Sequence, residues 1–409
     1  MKTNFLVNHE WDQIFNQHPE NMFYNHAFPL FLFTKRLYES LEQTKCKDVL
    51  FMSREGQFLK KLFERFCTIK KEYGQNVYDV KTHYFYGSRN SIMMASVDDL
   101  EKEKFTSLFK FFSIFMSPKS FMYSIGFSNE QIEIVRKTYG KQIDRRSLNF
   151  KNSKLFKKLK ANQEFIKIYN ENRTKQFQAL ESYFQSFGLD YRKDGLCFVD
   201  IGYHGTMQDL IFKFFQEKVS TTGYFIKSRA VQGLENKKFG LLSDKNNKNL
   251  FGARITKHDS FNYEQILRAD HGRCLGYSTN PDNYGQPILD QQSADDKIFE
   301  KYVKKMQDEI FRKFEEITVK SINSNDDVEK LCVIYYYYLI KNKTPNDYNW
   351  ILDMQDSHKD DFGFVGYPGK VFGRGIRKFA FKLKDKIFIA KNKGYIKKLT
   401  KEINPINQH

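Results

Sequence analysis

The chain has 409 residues, 16% of them aromatic, and a formal net charge of +18. This length is enough for two domains with sizeable cores, and the aromatic content excludes an intrinsically disordered chain. Five widely spaced cysteines without a CxxC pair exclude a disulfide framework and a zinc site of the usual spacing. The excess of lysine and arginine favours anionic partners, although the same charges also serve to keep an aromatic-rich chain in solution.

Three strand–helix pairs follow one another along the chain. Residues 48–63, DVLFMSREGQFLKKLF, predict a buried strand, a polar turn and a helix with one apolar face. A second strand is predicted over Thr82–Tyr86 and ends in the turn Gly87–Asn90. The third, Leu196–Asp200, leads into a helix through the glycine-bearing turn Gly202–Thr206. Such pairs predict an α/β protein with a parallel, Rossmann-like sheet.

Helical segments are predicted in the sequence before the first strand, between the second and third strands, and after the last strand. The expected organisation is N-terminal helices over 1–45, an α/β core over 46–97 and 191–294, a helical insertion over 98–190, and a helical C-terminal region over 295–409. TTGYFIKSRA predicts a further strand, and NLFGARIT and GRCLGYSTNPDNYGQPIL predict strand-and-turn segments. Gly188 is expected to cap the last helix of the insertion. The apolar run Leu331–Ile340 is too short to cross a bilayer and predicts a buried helix.

The turn after the third strand has the features of an anion site. Gly202 and Gly205 allow the backbone to approach a phosphate closely, and Thr206 suits both a helix cap and a phosphate donor. Asp200 is a candidate Mg²⁺ ligand or proton acceptor, and His204 is a candidate catalytic group. An ordinary strand–helix turn capped by Thr206 accounts for the same residues. Since ligands of parallel sheets bind at the carboxyl ends of the strands, we expect all three turns to converge on one site.

The first two turns each carry a serine followed by an arginine. A guanidinium group is a rigid fork for phosphate or carboxylate. Glu55 is a candidate general base or Mg²⁺ ligand. The alternative is an exposed helix start with Ser53 as its N-cap and Glu55 in the first turn. The residues of these two turns expected to bind substrate are Ser53, Arg54, Gly56, Ser88 and Arg89.

Several well-known motifs are absent from the sequence. The chain has no GxxxxGK[ST] or GxGxxG phosphate loop, no GxSxG elbow and no HExxH pair. Nothing in it is typical of a zinc finger or an RNP motif, so nucleic-acid binding would rest on charge alone and is not expected.

Four segments together resemble a family of HAD-superfamily-like proteins from bacterial capsule and O-antigen gene clusters. They lie within about residues 25–290 and read VLFMSREGQFLKKLF, YGSRNSIMMAS, FVDIGYHGTMQDLI and YEQILRADHGRCLGY. In that family one strand ends in Arg-acid-Gly, another in Ser-Arg, and a third in Asp-Ile-Gly-x-x-Gly-[ST]-x-Gln. The resemblance implies a HAD-like form of the sheet. It adds Gln208 to the substrate-binding residues and Glu264 as a third catalytic acid.

The same resemblance implies an enzyme of surface polysaccharide biosynthesis. HAD phosphatases resemble one another in an Asp-x-Asp strand end, where this chain has Ser53 and Glu55, and a serine cannot form an aspartyl phosphate. We therefore expect a cytoplasmic transferase that uses Mg²⁺ and moves a glycosyl or phosphoribosyl group from a pyrophosphate-activated donor to a glycan or lipid-linked glycan. The alternatives are a HAD-type phosphatase acting on a sugar phosphate or phosphoglycan, and a non-catalytic basic protein that binds membrane or glycan.

A basic segment lies near the end of the chain. Residues 369–401 mix lysine and arginine with phenylalanine, isoleucine and leucine, and Asp385 is their one acidic residue. Such a segment predicts a helix on an anionic membrane surface, peripheral on the inner face of the membrane. The alternative is a helix packed on the core with its lysines in water.

Overall fold

The computed structural model describes residues 9–18, 21–111, 116–147, 149–258, 261–291, 299–357 and 373–403. Within them the protein is a mixed α/β structure around a five-stranded sheet whose strands all run parallel. The strands are β1 (Asp48–Met52), β2 (Lys81–Phe85), β3 (Leu196–Asp200), β4 (Thr221–Ser228) and β5 (Asn236–Asp244). Their order, β2-β1-β3-β4-β5, is that of a doubly wound, Rossmann-like sheet. The predicted α/β class with a parallel sheet is confirmed.

Helices form most of the remaining structure. Before β3 they are α1 (His9–Asn16), α2 (Ala27–Thr44), α3 (Gly56–Glu72), α4 (Arg89–Ser96), α5 (Thr106–Phe111), α6 (Pro118–Ser124), α7 (Asn129–Tyr139), α8 (Lys154–Lys160), α9 (Gln163–Ser186) and α10 (Tyr191–Asp194). After β3 they are α11 (Thr206–Phe214), α12 (Ala253–Thr256), α13 (Phe261–Ile266), α14 (Lys304–Asn323), α15 (Val328–Lys341), α16 (Pro345–Ser357) and α17 (Arg374–Ile403). Short 3₁₀ turns span Met22–His26, Gly140–Asp144, Phe150–Asn152 and Pro281–Asn283, and a π-helical turn spans Phe299–Val303. A separate antiparallel pair consists of β6 (Cys274–Tyr277) and β7 (Pro287–Leu289).

Each face of the five-stranded sheet has its own hydrophobic core, because side chains alternate along a strand. Val49 and Phe51 of β1 pack in the core formed by α2, α3, α14 and α15. Leu50 and Met52 pack in the opposite core, with α4, α9 and α11. All of β3 is buried, as its apolar sequence predicts for a central parallel strand. The sheet is therefore the middle layer of three, and its strand ends are held from both faces.

The structure bears out most of the predicted elements and corrects some. The predicted insertion, 98–190, contains α5 to α9, and these helices share a core with the sheet. Gly188 follows α9 with a φ of 65°, as expected for a helix C-cap. Residues 331–340 lie in α15 and are buried apart from the half-buried Tyr338. The segment NLFGARIT was predicted as strand and turn but contains α12, and β5 was not predicted at all.

The basic C-terminal segment is helical where the structure describes it. Residues 374–403 form α17, and the predicted start of the segment, 369–372, lies outside the described residues. Among the helices of the described ranges, none combines the length and the apolar character that a bilayer crossing requires.

A partly buried ion pair connects α2 to α15 on one face of the sheet. The guanidinium group of Arg36 donates to the carbonyl oxygens of Leu241 (2.8 Å) and Phe251 (3.1 Å) and to the carboxylate of Glu329 (2.6 Å). Burial alone would raise the pKa of Glu329, but the charges of Arg36 and Lys35 outweigh burial and hold that pKa below its ordinary value.

We expect Glu329→Gln to lower the melting temperature near pH 7, because it leaves the Arg36 guanidinium buried without its anion. A carboxylate with a depressed pKa stabilises the fold above its unfolded pKa, about 4.3, and loses this contribution as the pH falls through the folded pKa. The difference between variant and wild type should therefore shrink in acid. Thermal unfolding followed by circular dichroism from neutral to acid pH measures it. The exposed Glu101→Gln serves as the control, and a difference that is constant with pH would contradict this account.

Candidate functional site

The three turns predicted to converge do meet in the structure. They line a cavity of about 210 Å³ at the carboxyl ends of β1, β2 and β3, beside the point where the strand order reverses. The predicted site residues in its walls are Ser53, Arg54, Glu55, Ser88, Arg89, Asp200, Gly202, His204, Gly205, Thr206 and Glu264. Gly56 and Gln208, which were also predicted to bind substrate, do not line the cavity.

The two serines of the first turns hold the walls together. The Ser53 hydroxyl donates to the carbonyl oxygen of Gly87 (2.7 Å) and accepts from the N–H of Gly87 (2.8 Å), which joins the β1 turn to the β2 turn. Ser88 is the N-cap of α4, accepts from the N–H of Ser91, and donates to the carbonyl oxygen of Cys274 (2.7 Å). Both hydroxyls are therefore engaged in the framework, and the alternative of Ser53 as a helix N-cap is wrong.

Arg54 and Glu55 stand at the start of α3, on the wall contributed by β1. The Glu55 carboxylate accepts from the N–H of Arg54 at 3.2 Å. Tyr84 supports this turn from β2, since its hydroxyl lies 3.3 Å from the carbonyl oxygen of Arg54 and 2.7 Å from Nε2 of His271. Burial, with the nearby Glu55 carboxylate next in effect, raises the pKa of Tyr84 well above its ordinary value. The hydroxyl consequently stays protonated at neutral pH and remains a hydrogen-bond donor.

The turn after β3 places a buried carboxylate beside an open helix end. Asp200 is 8% exposed, and its Oδ1 accepts from the N–H of Ile201 at 2.7 Å. Gly202 has a φ of 118°, and a β-carbon there would lie 2.0 Å from the carbonyl oxygen of Lys227. Gly205, with a φ of 66°, is the N-cap of α11. Thr206 is the first helical residue, so the prediction of Thr206 as the N-cap is wrong.

Gly56 and Gln208 belong to the framework beneath the cavity. A β-carbon on Gly56 would lie 2.8 Å from the carbonyl carbon of Phe51, so a glycine is needed for α3 to approach β1 closely. The Gln208 side chain is buried against β4 and β5, where its amide nitrogen donates to Thr221, Asn236 and the carbonyl oxygen of Lys237. Its place in the motif reflects packing of α11 on the sheet.

Three helices begin at this cavity, and all three direct their N-termini towards it. They are α3, α4 and α11, whose first residues follow the three turns directly. The N-terminus of a helix carries unpaired N–H groups and a partial positive charge that favours an anion. Arg54, Arg89 and Arg273 line the same cavity. Helix N-termini and arginine side chains are groups that bind phosphate in proteins.

Arg273 and Tyr203 also line the cavity, and the sequence analysis did not predict either of them as a site residue. Arg273 reaches the cavity from the residue before β6, and its Nε lies 3.3 Å from Oδ2 of Asp290. Tyr203 lines the turn after β3, with the guanidinium carbon of Arg229 5.5 Å from its ring centroid. An arginine directly before a short apolar strand, as in GRCLGY, was the available signal for Arg273.

Acidic residues from three separate segments line the cavity: Glu55, Asp200 and Glu264. In the residues that the structure describes, no group of three or more His, Cys, Asp or Glu side chains is placed to hold a metal ion on its own. Mg²⁺ is commonly held by one or two carboxylates together with substrate phosphates and water, and oxygen ligands of this kind are present. Asp200 or Glu55 would hold the ion here, which leaves the other carboxylate for proton transfer, and the charge of the ion would add to that of the arginines in neutralising bound phosphates.

The chain matches no protein-family model, and its comparison with curated proteins gives no match either.

Proposed function

We propose that the cavity binds the pyrophosphate of an activated sugar donor and that the protein transfers the glycosyl or phosphoribosyl group of this donor to a glycan acceptor. The proposal includes a HAD-like form of the Rossmann-like sheet, a cytoplasmic location and a role in bacterial surface polysaccharide assembly. These last features rest on the resemblance of the strand-end motifs in the sequence.

One observation carries the proposal. Arginines from three different segments and the N-termini of three helices face one cavity that also contains three carboxylates. Donors of positive charge that surround a leaving group stabilise the charge that develops on it as its bond breaks. Carboxylates beside them can accept a proton from an attacking hydroxyl group. Residues of one cavity can therefore both stabilise the leaving group and accept the proton of the attacking hydroxyl group.

The proposed step is a displacement at the anomeric carbon of the donor. The acceptor hydroxyl oxygen forms the new bond to this carbon while the bond from the carbon to the pyrophosphate oxygen breaks. Pyrophosphate leaves with the bonding electron pair, held by Arg54, Arg89 and Arg273. The hydroxyl proton passes to a carboxylate, for which Asp200, buried at the end of β3, is the first candidate and Glu55 the second.

The contacts of Ser53 favour transfer over a HAD-type phosphatase. A phosphatase of that kind needs a carboxylate nucleophile at this strand end. Here the position is a serine whose hydroxyl both donates to and accepts from Gly87. This arrangement suits a structural residue better than a nucleophile.

The proposal is tested by measuring pyrophosphate and phosphate release in the presence of Mg²⁺. The donors to offer are phosphoribosyl pyrophosphate, nucleotide sugars and simple sugar phosphates, each with and without a glycan acceptor. Pyrophosphate or nucleotide release that depends on the acceptor supports the transferase. Inorganic phosphate released from a simple sugar phosphate would instead support the phosphatase, and a lack of turnover and binding with every donor would sink both.

Each of the substitutions Arg54→Gln, Arg89→Gln and Arg273→Gln should weaken the binding of inorganic pyrophosphate. A hydrogen bond between charged groups contributes about 1.5–3 kcal/mol, which corresponds to a loss of affinity of about 10- to 100-fold. Isothermal titration calorimetry with pyrophosphate measures the change. Arg145→Gln, at an exposed position of the insertion, is the matched control and should bind as the wild type does. Unchanged affinity in all three cavity variants would remove pyrophosphate from the proposal.

A further inference from the structure

The long helix α17 has apolar residues on two opposite faces. One face packs against the protein and buries Asp385, Phe388, Asn392, Ile396 and Leu399. Their spacing of three or four residues is that of one helix face. Phe388 stacks on the ring of His258 with centroids 4.1 Å apart and lies 6.0 Å from Tyr337 of α15. The inward face of α17 therefore packs on the core, as in the alternative of a core-packed helix given by the sequence.

The opposite face carries a second apolar stripe that points outwards. It consists of Ile376, Phe379, Leu383 and Ile387, whose side chains are between 45% and 67% exposed. Spacings of three, four and four residues place them in one row along the helix, about 16 Å long. Single exposed apolar residues are ordinary, but a contiguous row of four on one helix is typical of an interaction surface.

Exposed lysines surround and continue this stripe. They are Lys384, Lys386, Lys391, Lys393, Lys397, Lys398 and Lys401. The two acidic residues of the helix, Asp385 and Glu402, neutralise little of the positive charge of these lysines. Asp385 points inwards to His258 (2.7 Å) and Tyr348 (2.8 Å), and Glu402 lies 3.3 Å from Lys330. The outward face of α17 therefore combines an apolar centre with a cationic border.

We propose that this outward face of α17 docks on the surface of an anionic lipid membrane. Apolar side chains at the centre would enter the boundary between headgroups and acyl chains, and the lysines at the border would lie among anionic headgroups. A nucleic acid or an acidic protein could also bind the lysines through its negative charges. Four large apolar side chains among these lysines favour a lipid membrane instead, because its apolar acyl chains lie directly below its charged headgroups.

The contacts of α17 hold this face rigidly with respect to the sheet. His258, which bonds to Asp385, has a carbonyl oxygen that accepts from Lys227 Nζ of β4 (2.7 Å) and from the Tyr336 hydroxyl (2.5 Å). The backbone of Lys227 in turn packs on Gly202 in the cavity wall. Docking through α17 would therefore fix the orientation of the cavity relative to the membrane.

Flotation with lipid vesicles tests the proposal. Vesicles of phosphatidylcholine alone and of an equimolar mixture with phosphatidylglycerol are compared. We expect the full chain to float with the anionic vesicles only. The triple variant Phe379→Ser, Leu383→Ser, Ile387→Ser should reduce binding by roughly 10-fold or more. The control, Val231→Ser with Leu234→Ser, changes residues that are 79% and 90% exposed on the β4–β5 connection, and it should bind as the wild type does.

The charge component has a separate test with the same vesicles. Changing Lys384, Lys386, Lys391 and Lys393 to glutamine should reduce binding by roughly 10³-fold, and added salt should weaken the binding of the wild type. The control changes four lysines of the insertion that are equally exposed: Lys141, Lys154, Lys157 and Lys158. Failure of the wild type to float, equal binding to neutral vesicles, or equal effects of variants and controls would each overturn the proposal. None of these outcomes bears on pyrophosphate binding in the cavity.

Discussion

Asp200→Asn is expected to reduce acceptor-dependent pyrophosphate release by roughly 10²- to 10⁴-fold, the usual contribution of a positioned general base. The substitution removes the proton acceptor without changing the turn. Asparagine retains the oxygen that accepts from the N–H of Ile201, and so it retains the turn, but it cannot take a proton from the acceptor. The ratio kcat/KM measured with donor and acceptor reports the loss, and thermal unfolding should show a melting temperature close to that of the wild type.

Asp244→Asn is the matched control for this result. Asp244 also ends a strand of the sheet, and its carboxylate likewise accepts backbone N–H groups, from Gly240 and Asn246, each at 2.8 Å. It lies outside the cavity, and its substitution should leave turnover unchanged. Full activity of Asp200→Asn would remove Asp200 from the mechanism and make Glu55→Gln the next substitution to measure.

The sequence predicts the sheet well where a strand is buried on both faces. β3 was predicted with its observed bounds and β1, predicted as DVLFMS, was one residue too long, because short apolar runs ended by polar turns have few other uses in a chain of this class. β5 was missed for two physical reasons. Its sequence, NKKFGLLSD, begins with polar residues at the edge of the sheet, and the connection from β4 spans only 229–235, without the helix that normally marks a parallel crossover.

The sequence predicted those parts of the site that are formed by short, continuous segments. Strand-end turns with glycine and arginine could be recognised because the carboxyl ends of parallel strands meet. Sequence spacing does not show which side of a helix faces the ligand, and so Gln208 was assigned to the cavity although it packs on the sheet. Arg273 enters the cavity from a distant segment whose position depends on the packing of β6 on α4 and α9, which no local pattern specifies.

Gly202→Ala should destabilise the protein and distort the cavity at the same time. A side chain at a φ of 118° is strained by about 1–3 kcal/mol. The added carbon would also lie 2.0 Å from the carbonyl oxygen of Lys227, and relieving such a contact in a packed region costs about 1–3 kcal/mol more. We therefore expect the free energy of unfolding to fall by about 2–6 kcal/mol. Urea unfolding followed by circular dichroism measures this change.

Gly74→Ala is the control without a steric contact. Gly74 has a φ of 70°, and a β-carbon there would meet no heavy atom within 4 Å in the described part of the chain. This control should therefore cost only the backbone strain of a left-handed residue, about 1–2 kcal/mol. The excess loss in Gly202→Ala then reports the contact with the carbonyl oxygen of Lys227 together with the greater backbone strain at a φ of 118°. Equal losses in the two variants would show that this turn can move away from β4 at little cost, and would contradict its close packing on Lys227.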